Sequence, residues 1–333
     1  MIKNTFAKLF DEYLNKAGLT DEVLAEQLSV SKMTIYNWRV GKIQRPISRD
    51  KLLKCADILK LMPKQRAKFL KTAGHQPEKY EFPQPPMPVV GVSIIQPYQF
   101  FGRESLLNKI YWAWHKTMPE SIVILGAKRS GKTSLLNYLL KINQATQLRP
   151  DQAKGWPDDW LADHFQIALV DFKDANMSQP ETLVSDVLHQ LKLDIPNPCD
   201  IAGFSTALRR QQDNPTVILM DDIEVGLAMP ALDAAFWGNM CSLGSHGKLS
   251  FVITASEPLT KDDFDKAAPF FNLFGHTLPL EAFTESEARE LIVSLPYSFS
   301  EEEIEEMLKK SGCWPEPLQK LCDARLQQLL LYR

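Results

Sequence analysis

The sequence contains few thiols and no long apolar run. Its five cysteines form no Cys-x-x-Cys pair, so the sequence predicts neither a zinc site nor a disulfide framework. No apolar stretch approaches the roughly 20 residues needed to cross a bilayer. The first 18 residues mix charged and apolar side chains and lack the apolar segment of a signal peptide. We therefore expect reduced thiols in a cytoplasmic protein with no membrane partner. The cysteines are Cys55, Cys199, Cys241, Cys313 and Cys322.

Charge is unevenly distributed along the chain. Residues 1–72 carry 15 Lys and Arg against 7 Asp and Glu, a net charge of +8, and the remaining residues have a net charge of −11. The length of 333 residues suits two or three domains. Positive charge concentrated in one small segment is typical of a module that binds a polyanion. The alternative is an ordinary solvated face of basic helices.

A proline-rich stretch divides the chain. Residues 77–97 contain six prolines, which fix the backbone and remove hydrogen-bond donors, so we predict an extended, fairly stiff linker there. Before it, the apolar spacing is helical. After it, short β-rich runs alternate with amphipathic helices, which predicts a parallel sheet with helices on both faces. The predicted domains are a head (residues 1–76), the linker (77–97), an α/β core (98–280) and a helical lid (281–333).

The most specific motif follows the first β-rich run of the predicted core. Residues 121–125 are predicted as a strand, and residues 126–133 follow as a loop of the form G-x-x-x-x-G-K-T that leads into a helix. This order is typical of a P-loop, whose backbone N–H groups and helix N-terminus bind phosphate. Lys132 would reach the β- and γ-phosphates, and Thr133 would offer its hydroxyl to Mg²⁺. We therefore predict ATP and Mg²⁺ as cofactors. The predicted nucleotide-binding residues are Gly126, Ala127, Lys128, Arg129, Ser130, Gly131, Lys132, Thr133 and Ser134.

A second apolar run carries acidic residues at its end. Residues 216–220 are predicted as a parallel strand, and three acidic residues follow: Asp221, Asp222 and Glu224. In P-loop enzymes one such carboxylate steadies the magnesium ion and another positions the attacking water. Asp221 is the predicted metal-side carboxylate, and either Asp222 or Glu224 is the predicted base. The alternative is that these acids only cap the helix after the strand.

Residues 94–333 resemble the bacterial AAA+/STAND-type ATPases. Besides the P-loop, residues 100–104 resemble the F-x-G-R-E box of that family, residues 249–256 its sensor strand, and residues 312–315 the G-x-P segment of its lid. The resemblance implies a multidomain α and α/β protein: an all-α head, a parallel-sheet P-loop NTPase core and a small C-terminal helical lid. It also implies further residues at the nucleotide. These are Phe101, Gly102 and Arg103 over the base, Thr254 or Ser256 near the γ-phosphate, and Pro315 in the lid.

Two departures from the family pattern concern turnover. Family members often carry an arginine on or just before the sensor strand, whereas Ser256 and residues 240–242 offer none. Asp222 also stands where many members have glutamate, and its side chain is one carbon shorter. We therefore expect slow hydrolysis or nucleotide-dependent switching.

A helix-turn-helix pattern lies near the N-terminus. Between residues 20 and 41, apolar residues fall at the spacing that two helices need to cross at a short turn, and Ala25 is small where the second helix approaches. Ser31 is a favourable N-cap for that helix. Residues 5–72 thereby resemble the Cro/repressor-like (Xre-type) helix-turn-helix domains. One departure is Ser29, which stands at the turn position usually held by glycine and adopts the left-handed conformation at a cost of roughly 1 kcal/mol.

This second resemblance implies double-stranded DNA as a partner. Residues 32–39 would lie in the major groove, where Lys32 and Asn37 donate to base edges. Hydroxyl and basic side chains around them would contact phosphates, which position the domain without reading sequence. The alternative is a helical hairpin that contacts only proteins. The predicted DNA-binding residues are Ser31, Lys32, Met33, Thr34, Tyr36, Asn37, Lys42 and Arg45.

Together the two modules predict an ATP-binding, slowly hydrolysing DNA-binding regulator whose nucleotide state controls oligomerisation and DNA engagement. A homo-oligomer would place several heads on one DNA and bind it much more tightly than a single head. Any catalytic effector would then be a separately encoded protein. Two alternatives stay open. One is an AAA+ ATPase that loads onto DNA as an adaptor in transposition or antiviral defence, and the other is a nucleotide-gated scaffold whose head recruits a protein.

Overall fold

The computed structural model divides, among the residues it describes, into one unit up to residue 75 and a second from residue 86 onward. The described residues are 5–43, 46, 48–59, 61, 63–75, 86–142, 165–210, 215–245 and 249–331. The predicted DNA contact Arg45 and residues 77–85 of the predicted linker lie outside these ranges. Within them, no helix is long and apolar enough to cross a membrane.

The N-terminal unit is all-α in its described residues. Aromatic side chains from its first, third and last helices form its core: the ring centroids of Phe6 and Phe69 lie 5.3 Å apart, and those of Phe10 and Trp38 5.8 Å apart. Pairs at these separations stabilise a core beyond their buried area. The helices are α1 (Thr5–Lys16), α2 (Asp21–Leu28), α3 (Lys32–Arg39), α4 (Arg49–Ile58) and α5 (Pro63–Thr72).

The turn between α2 and α3 has the geometry that the sequence predicts. Ser29 adopts the left-handed conformation (φ 52°, ψ 51°) and ends α2. The Ser31 side chain accepts a hydrogen bond from the Thr34 N–H at 3.1 Å, so the predicted N-cap of α3 is confirmed. Five of the six apolar residues predicted at the crossing are buried, and the sixth, Val30 in the turn, is half-buried against the same core. The buried five are Leu24, Ala25 and Leu28 on α2, and Ile35 and Trp38 on α3.

The second unit is built on a five-stranded parallel sheet, as predicted, with the strand order β2-β3-β4-β1-β5. Every residue of the central strands β3 and β4 is buried, which explains their uninterrupted apolar character. The edge strand β5 is an addition, because no strand was predicted from the sequence at residues 274–279. The strands are β1 (Ser121–Leu125), β2 (Gln166–Asp171), β3 (Thr216–Asp221), β4 (Leu249–Ala255) and β5 (Phe274–Pro279).

Helices accompany the sheet, and three more form the lid after β5. The lid has its own apolar cluster, which includes Ile292, Leu308 and Leu318 from its three helices. The helices before and between the strands are α6 (Glu104–Trp114), α7 (Lys132–Lys141), α8 (Pro180–Gln190), α9 (Ile201–Arg210), α10 (Ile223–Leu227), α11 (Ala234–Ser245) and α12 (Lys261–Phe271). Those of the lid are α13 (Glu285–Val293), α14 (Glu301–Ser311) and α15 (Pro315–Leu331).

The described part of the predicted linker belongs to the second unit. The Ile94 N–H donates to the Ser134 hydroxyl at 3.0 Å, and the Asn137 amide donates to the Ile94 carbonyl at 3.1 Å. Further along, the Val89 N–H donates to Gln319 Oε1 at 3.0 Å. The assignment of residues 86–97 to a connector is therefore corrected, because their backbone groups pair with side chains of α7 and α15.

Candidate nucleotide-binding site

A cavity of about 820 Å³ lies where the carboxyl ends of four strands meet. Its walls come from the residues that follow β1, β2, β3 and β4, from residues 89–94, and from the start of α15. Ligands of open parallel sheets bind at this end of the strands. The sequence order of strand, loop and helix at β1 therefore places the P-loop at the wall of this cavity.

The P-loop holds its lysine in place. Gly131, the N-cap residue of α7, adopts a positive φ of 102°, so the loop turns directly into the helix. The Lys132 ammonium donates to the Gly126 carbonyl at 2.7 Å, to the Ala127 carbonyl at 3.2 Å and to the Ser256 hydroxyl at 3.2 Å. Burial lowers the pKa of Lys132, while the nearby Asp222 and Glu224 carboxylates act in the opposite direction. This ammonium is a charged donor fixed at the floor of the cavity.

Thr133 and Asp221 form the predicted metal-side pair. The Thr133 hydroxyl donates to one carboxylate oxygen of Asp221 at 2.5 Å, and the Thr254 hydroxyl donates to the other at 2.6 Å. Asp221 is only 2% exposed, and this burial raises its pKa although both hydroxyls favour the charged form. A buried carboxylate beside a hydroxyl is a hard-oxygen donor set that fits Mg²⁺. The described residues contain no cluster of three or more His, Cys, Asp or Glu suited to a metal, so such an ion would depend on phosphate oxygens as well.

The two candidate bases differ in their contacts. Asp222 adopts a left-handed conformation (φ 54°) at the start of α10, and its carboxylate forms an ion pair with Lys173. Glu224 accepts a hydrogen bond from the Ser256 N–H through one oxygen. Its other oxygen is buried and has no hydrogen-bond partner among the described residues. Both side chains line the cavity, so the choice between them stays open.

Two of the residues predicted to close over the base, Phe101 and Arg103, line a smaller cavity that shares Pro315 and Gln319 with the main one. Phe101 is buried in the apolar cluster of the lid, and Gly102 takes a positive φ of 63° just before α6. The Arg103 guanidinium donates to the carbonyl of Ser130 at 3.1 Å and to that of Glu281, and lies 4.6 Å from the Phe283 ring centroid. Burial lowers the pKa of Arg103 to about 10. These three residues do not line the main cavity; instead, Arg103 links the P-loop to the first residues of the lid.

Some of the remaining predicted residues line the cavity, and others lie outside its wall. Thr254 is fully buried behind Asp221, whereas Ser256 lines the cavity, so Ser256 is the one of this pair that faces the cavity. Gly126, Ala127, Ser130 and Asp221 also lie outside the cavity wall. The predicted residues that line the cavity are Lys128, Arg129, Gly131, Lys132, Thr133, Ser134, Asp222, Glu224, Ser256 and Pro315.

The cavity also has walls that sequence reasoning missed. Lys173 follows β2, and the rule that sites form at the carboxyl ends of parallel strands would have drawn attention to it. Residues 89–94, Glu316 and Gln319 also line the cavity, and no local pattern marks them. Glu316 forms an ion pair with Arg129 of the P-loop (2.6 Å), which joins the lid to the loop across the cavity mouth.

In the head, the predicted DNA-contacting residues lie on and beside the exposed side of α3. Met33 and Tyr36 are exposed, and the Lys42 ammonium lies 5.9 Å from the Tyr36 ring centroid. Lys32 forms an ion pair with Glu22 of α2. Asn37 and Thr34 are half-buried, and Ser31 is exposed at the N-terminus of the helix. All the predicted contacts except Arg45, which is not described, therefore fall on one small surface region.

Comparisons with known proteins identify the fold of the second unit. No family model matches the chain, and no curated protein matches it. Among solved structures, the Walker-type ATPase PABY2304 of Pyrococcus abyssi is similar over 71% of each chain, with 16% identity and a TM-score of 0.50. The Orc1 protein of Aeropyrum pernix, solved in complex with DNA, is similar over 70% of this chain and 62% of its own, with 12% identity and a TM-score of 0.51. The chain therefore has the parallel-sheet fold of P-loop ATPases.

Proposed function

We propose that the chain binds ATP with Mg²⁺, hydrolyses it slowly, and uses the nucleotide state to control oligomerisation and DNA engagement. The observation that carries the nucleotide part is the joint placement of Lys132, Thr133 and Asp221. The Lys132 ammonium is a charged donor at the cavity floor. Beside it, the Thr133 hydroxyl donates a hydrogen bond to the Asp221 carboxylate at 2.5 Å. This is the arrangement that a triphosphate and its metal ion require at a helix N-terminus.

The cavity has room for a whole nucleotide. Its volume of about 820 Å³ lies within the range of small-molecule sites. With the phosphates on the P-loop, the base would lie toward residues 89–94 and the start of α15, where Pro315 and Gln319 line the wall. Mg²⁺, when bound, would neutralise phosphate charge next to Thr133 and Asp221. Asp222 or Glu224 would position the attacking water from the opposite wall.

The ion pair between Arg129 and Glu316 supports a nucleotide-dependent lid. Arg129 belongs to the P-loop and Glu316 to the first turn of α15, so phosphate bound at the loop would compete with Glu316 for the guanidinium. The lid would then report the nucleotide state to neighbouring copies of the chain. The head supplies the DNA-binding part of the proposal, because its net charge of +8 and its exposed α3 suit a polyanion.

The nucleotide part is tested by titration calorimetry. Lys132→Ala removes the charged donor nearest the phosphates, and we expect at least tenfold weaker ATP binding, about 1.4 kcal/mol. Thr133→Ala should reduce the part of the affinity that depends on Mg²⁺. A matched control is Lys109→Ala, which removes an exposed lysine from α6 outside the cavity and should leave binding unchanged. Equal ATP affinity in wild type and Lys132→Ala would refute the assignment.

An ATPase that loads onto DNA for another protein is the second candidate. The DNA-bound Orc1 structure favours it, because it places this fold in a DNA-binding protein. A loading ATPase would coat DNA with little sequence preference and hydrolyse ATP faster when DNA is present, whereas a regulator would prefer one operator sequence. Electrophoretic binding to random and selected DNA, together with turnover with and without DNA, separates the two.

A further inference from the structure

Lys173 is one of the cavity residues that no sequence motif marks, and it is the only cation among them in the described wall. It lies two residues beyond the end of β2, next to the acidic end of β3, since Asp171 pairs with Asp221 in the sheet. Its ammonium forms an ion pair with Asp222, and its side chain is 64% exposed whereas that of Asp222 is 12% exposed. One member of this pair is thus fixed in the protein, and the other extends into the cavity.

The backbone of Lys173 is held in a turn, whereas its side chain is mostly exposed. Its N–H donates to the Asp171 carboxylate at 2.9 Å, in a tight turn that the Asp174 N–H closes onto the Asp171 carbonyl at 2.9 Å. The preceding Phe172 is buried, with its ring 6.1 Å from that of Trp237. Such a residue presents a long, flexible cation from a rigid base, which suits a group that exchanges partners.

The other cations of the described cavity wall have different positions. Lys132 is bonded to the loop carbonyls at the cavity floor, and Arg129 is paired with Glu316 of the lid. Lys128 belongs to the same loop as these two. Lys173 alone among these cations comes from the side of the candidate bases, where the sensor strand provides Ser256 and no arginine.

On the basis of the proposed function, we propose that Lys173 distinguishes nucleoside triphosphate from diphosphate by exchanging Asp222 for the terminal phosphate. A terminal phosphate at the P-loop brings negative charge toward the wall that Lys173 and Asp222 share, and it offers the ammonium more acceptor oxygens than one carboxylate. A diphosphate lacks that group, so the ion pair with Asp222 persists. The exchange frees the Asp222 carboxylate only when a triphosphate is bound.

This role makes Lys173 a specificity-determining residue. The alternative is that the ion pair only stabilises the turn after β2, in which case both nucleotides would respond alike to its loss. The Lys173 side chain is mostly exposed, so its replacement leaves no gap in the core and variants of Lys173 should fold. Asparagine at position 222 tolerates the left-handed backbone found there, so Asp222→Asn tests the partner without straining the chain.

The experiment measures binding of ADPNP and of ADP, each with Mg²⁺, by calorimetry on the full-length chain. Lys173→Met keeps the length of the side chain and removes its charge. We expect it to weaken ADPNP binding about tenfold and to change ADP binding less than twofold. Lys173→Arg should restore most of the lost affinity. Asp222→Asn should strengthen ADPNP binding more than ADP binding, because it removes the competitor for Lys173.

Two results would overturn the inference while leaving the proposed function standing. These are equal effects of Lys173→Met on both nucleotides, or no effect on either, in a protein that still needs Lys132 to bind them. Melting curves without nucleotide confirm that each variant is folded, and Lys109→Ala serves as the control for loss of a surface charge. If the wild type binds neither nucleotide, the proposed function is refuted and this inference with it.

Discussion

Three charged side chains of the predicted site in the second unit are buried and hydrogen-bonded, whereas several of those predicted for the head are exposed. Asp221, Lys132 and Arg103 are 2%, 6% and 8% exposed, while Met33 and Tyr36 on α3 are 60% and 40% exposed. A site of the first kind is fixed by its own fold before any ligand binds. A surface of the second kind acquires its function from charge and from the partner that it meets. Substitutions should therefore have large, specific effects in the second unit and small, additive effects in the head.

The largest expected effect concerns hydrolysis. Removing the base should lower turnover by at least a hundredfold while ATP stays bound, because a positioned base contributes about 10²–10⁴-fold. Asp222→Asn and Glu224→Gln are the pair to compare, in a single-turnover assay with Mg²⁺. The shorter reach of Asp222 and its pairing with Lys173 leave the two candidates open. Whichever variant loses turnover identifies the base; wild-type rates in both would remove both residues from this role.

The next effect concerns stability. Arg103→Ala removes a buried guanidinium that donates to carbonyls of the P-loop and of the lid, and leaves both carbonyls without this donor. We expect the free energy of unfolding to fall by about 2–4 kcal/mol, measured by denaturant titration. Arg103→Lys keeps the charge without the planar fork and should lose less. A loss below about 0.5 kcal/mol would mean that the link between loop and lid carries little stability.

The smallest effects are expected in the head. Lys42→Ala should weaken binding to every DNA sequence alike and reduce the salt slope by about 1, whereas Lys32→Ala with Asn37→Ala should relax sequence preference. Glu22→Gln should strengthen binding a few-fold, since it releases Lys32 from an exposed ion pair. Electrophoretic titration of the full-length protein at several salt concentrations measures all three. Unchanged DNA binding in every variant would favour the alternative hypothesis that the head is a helical hairpin that contacts only proteins.

Secondary structure was predicted correctly from the sequence where the local pattern and the tertiary context agree. The strand at 121–125 has the predicted bounds, and the helix after the loop begins at Lys132, because a buried parallel strand is continuously apolar and the P-loop spacing is rigid. The edge strand β5 was missed because most of its side chains are exposed and it contains Gly275 and Pro279, which weaken any strand pattern. The exposure of its side chains, and not weak strand pairing, therefore explains why this strand was not predicted.

The parts of the site that sequence reasoning missed depend on contacts between distant segments. Residues 89–94 reach the cavity through hydrogen bonds to Ser134 and Gln319, 40 and 230 positions along the chain. No spacing rule connects such residues. Likewise, the motif around Arg103 was recognised, but its orientation toward Ser130 and Glu281 follows from how the lid packs. Local motifs thus locate the predicted phosphate site, while the other walls of the cavity are set by packing between distant segments.

The proposed control of DNA engagement by nucleotide state can be measured in the full-length protein. DNA affinity of the full-length protein is measured by fluorescence anisotropy with Mg²⁺-ADPNP and with Mg²⁺-ADP, over a salt series, with Lys132→Ala as the control. We expect the protein to bind DNA more tightly with ADPNP than with ADP. Its DNA affinity should also depend more steeply on salt, because several assembled heads contact more phosphates than one. Lys132→Ala should show no difference between the nucleotides. If the wild type binds DNA with the same affinity and the same salt slope in both nucleotide states, with nucleotide bound in each, nucleotide does not control DNA engagement.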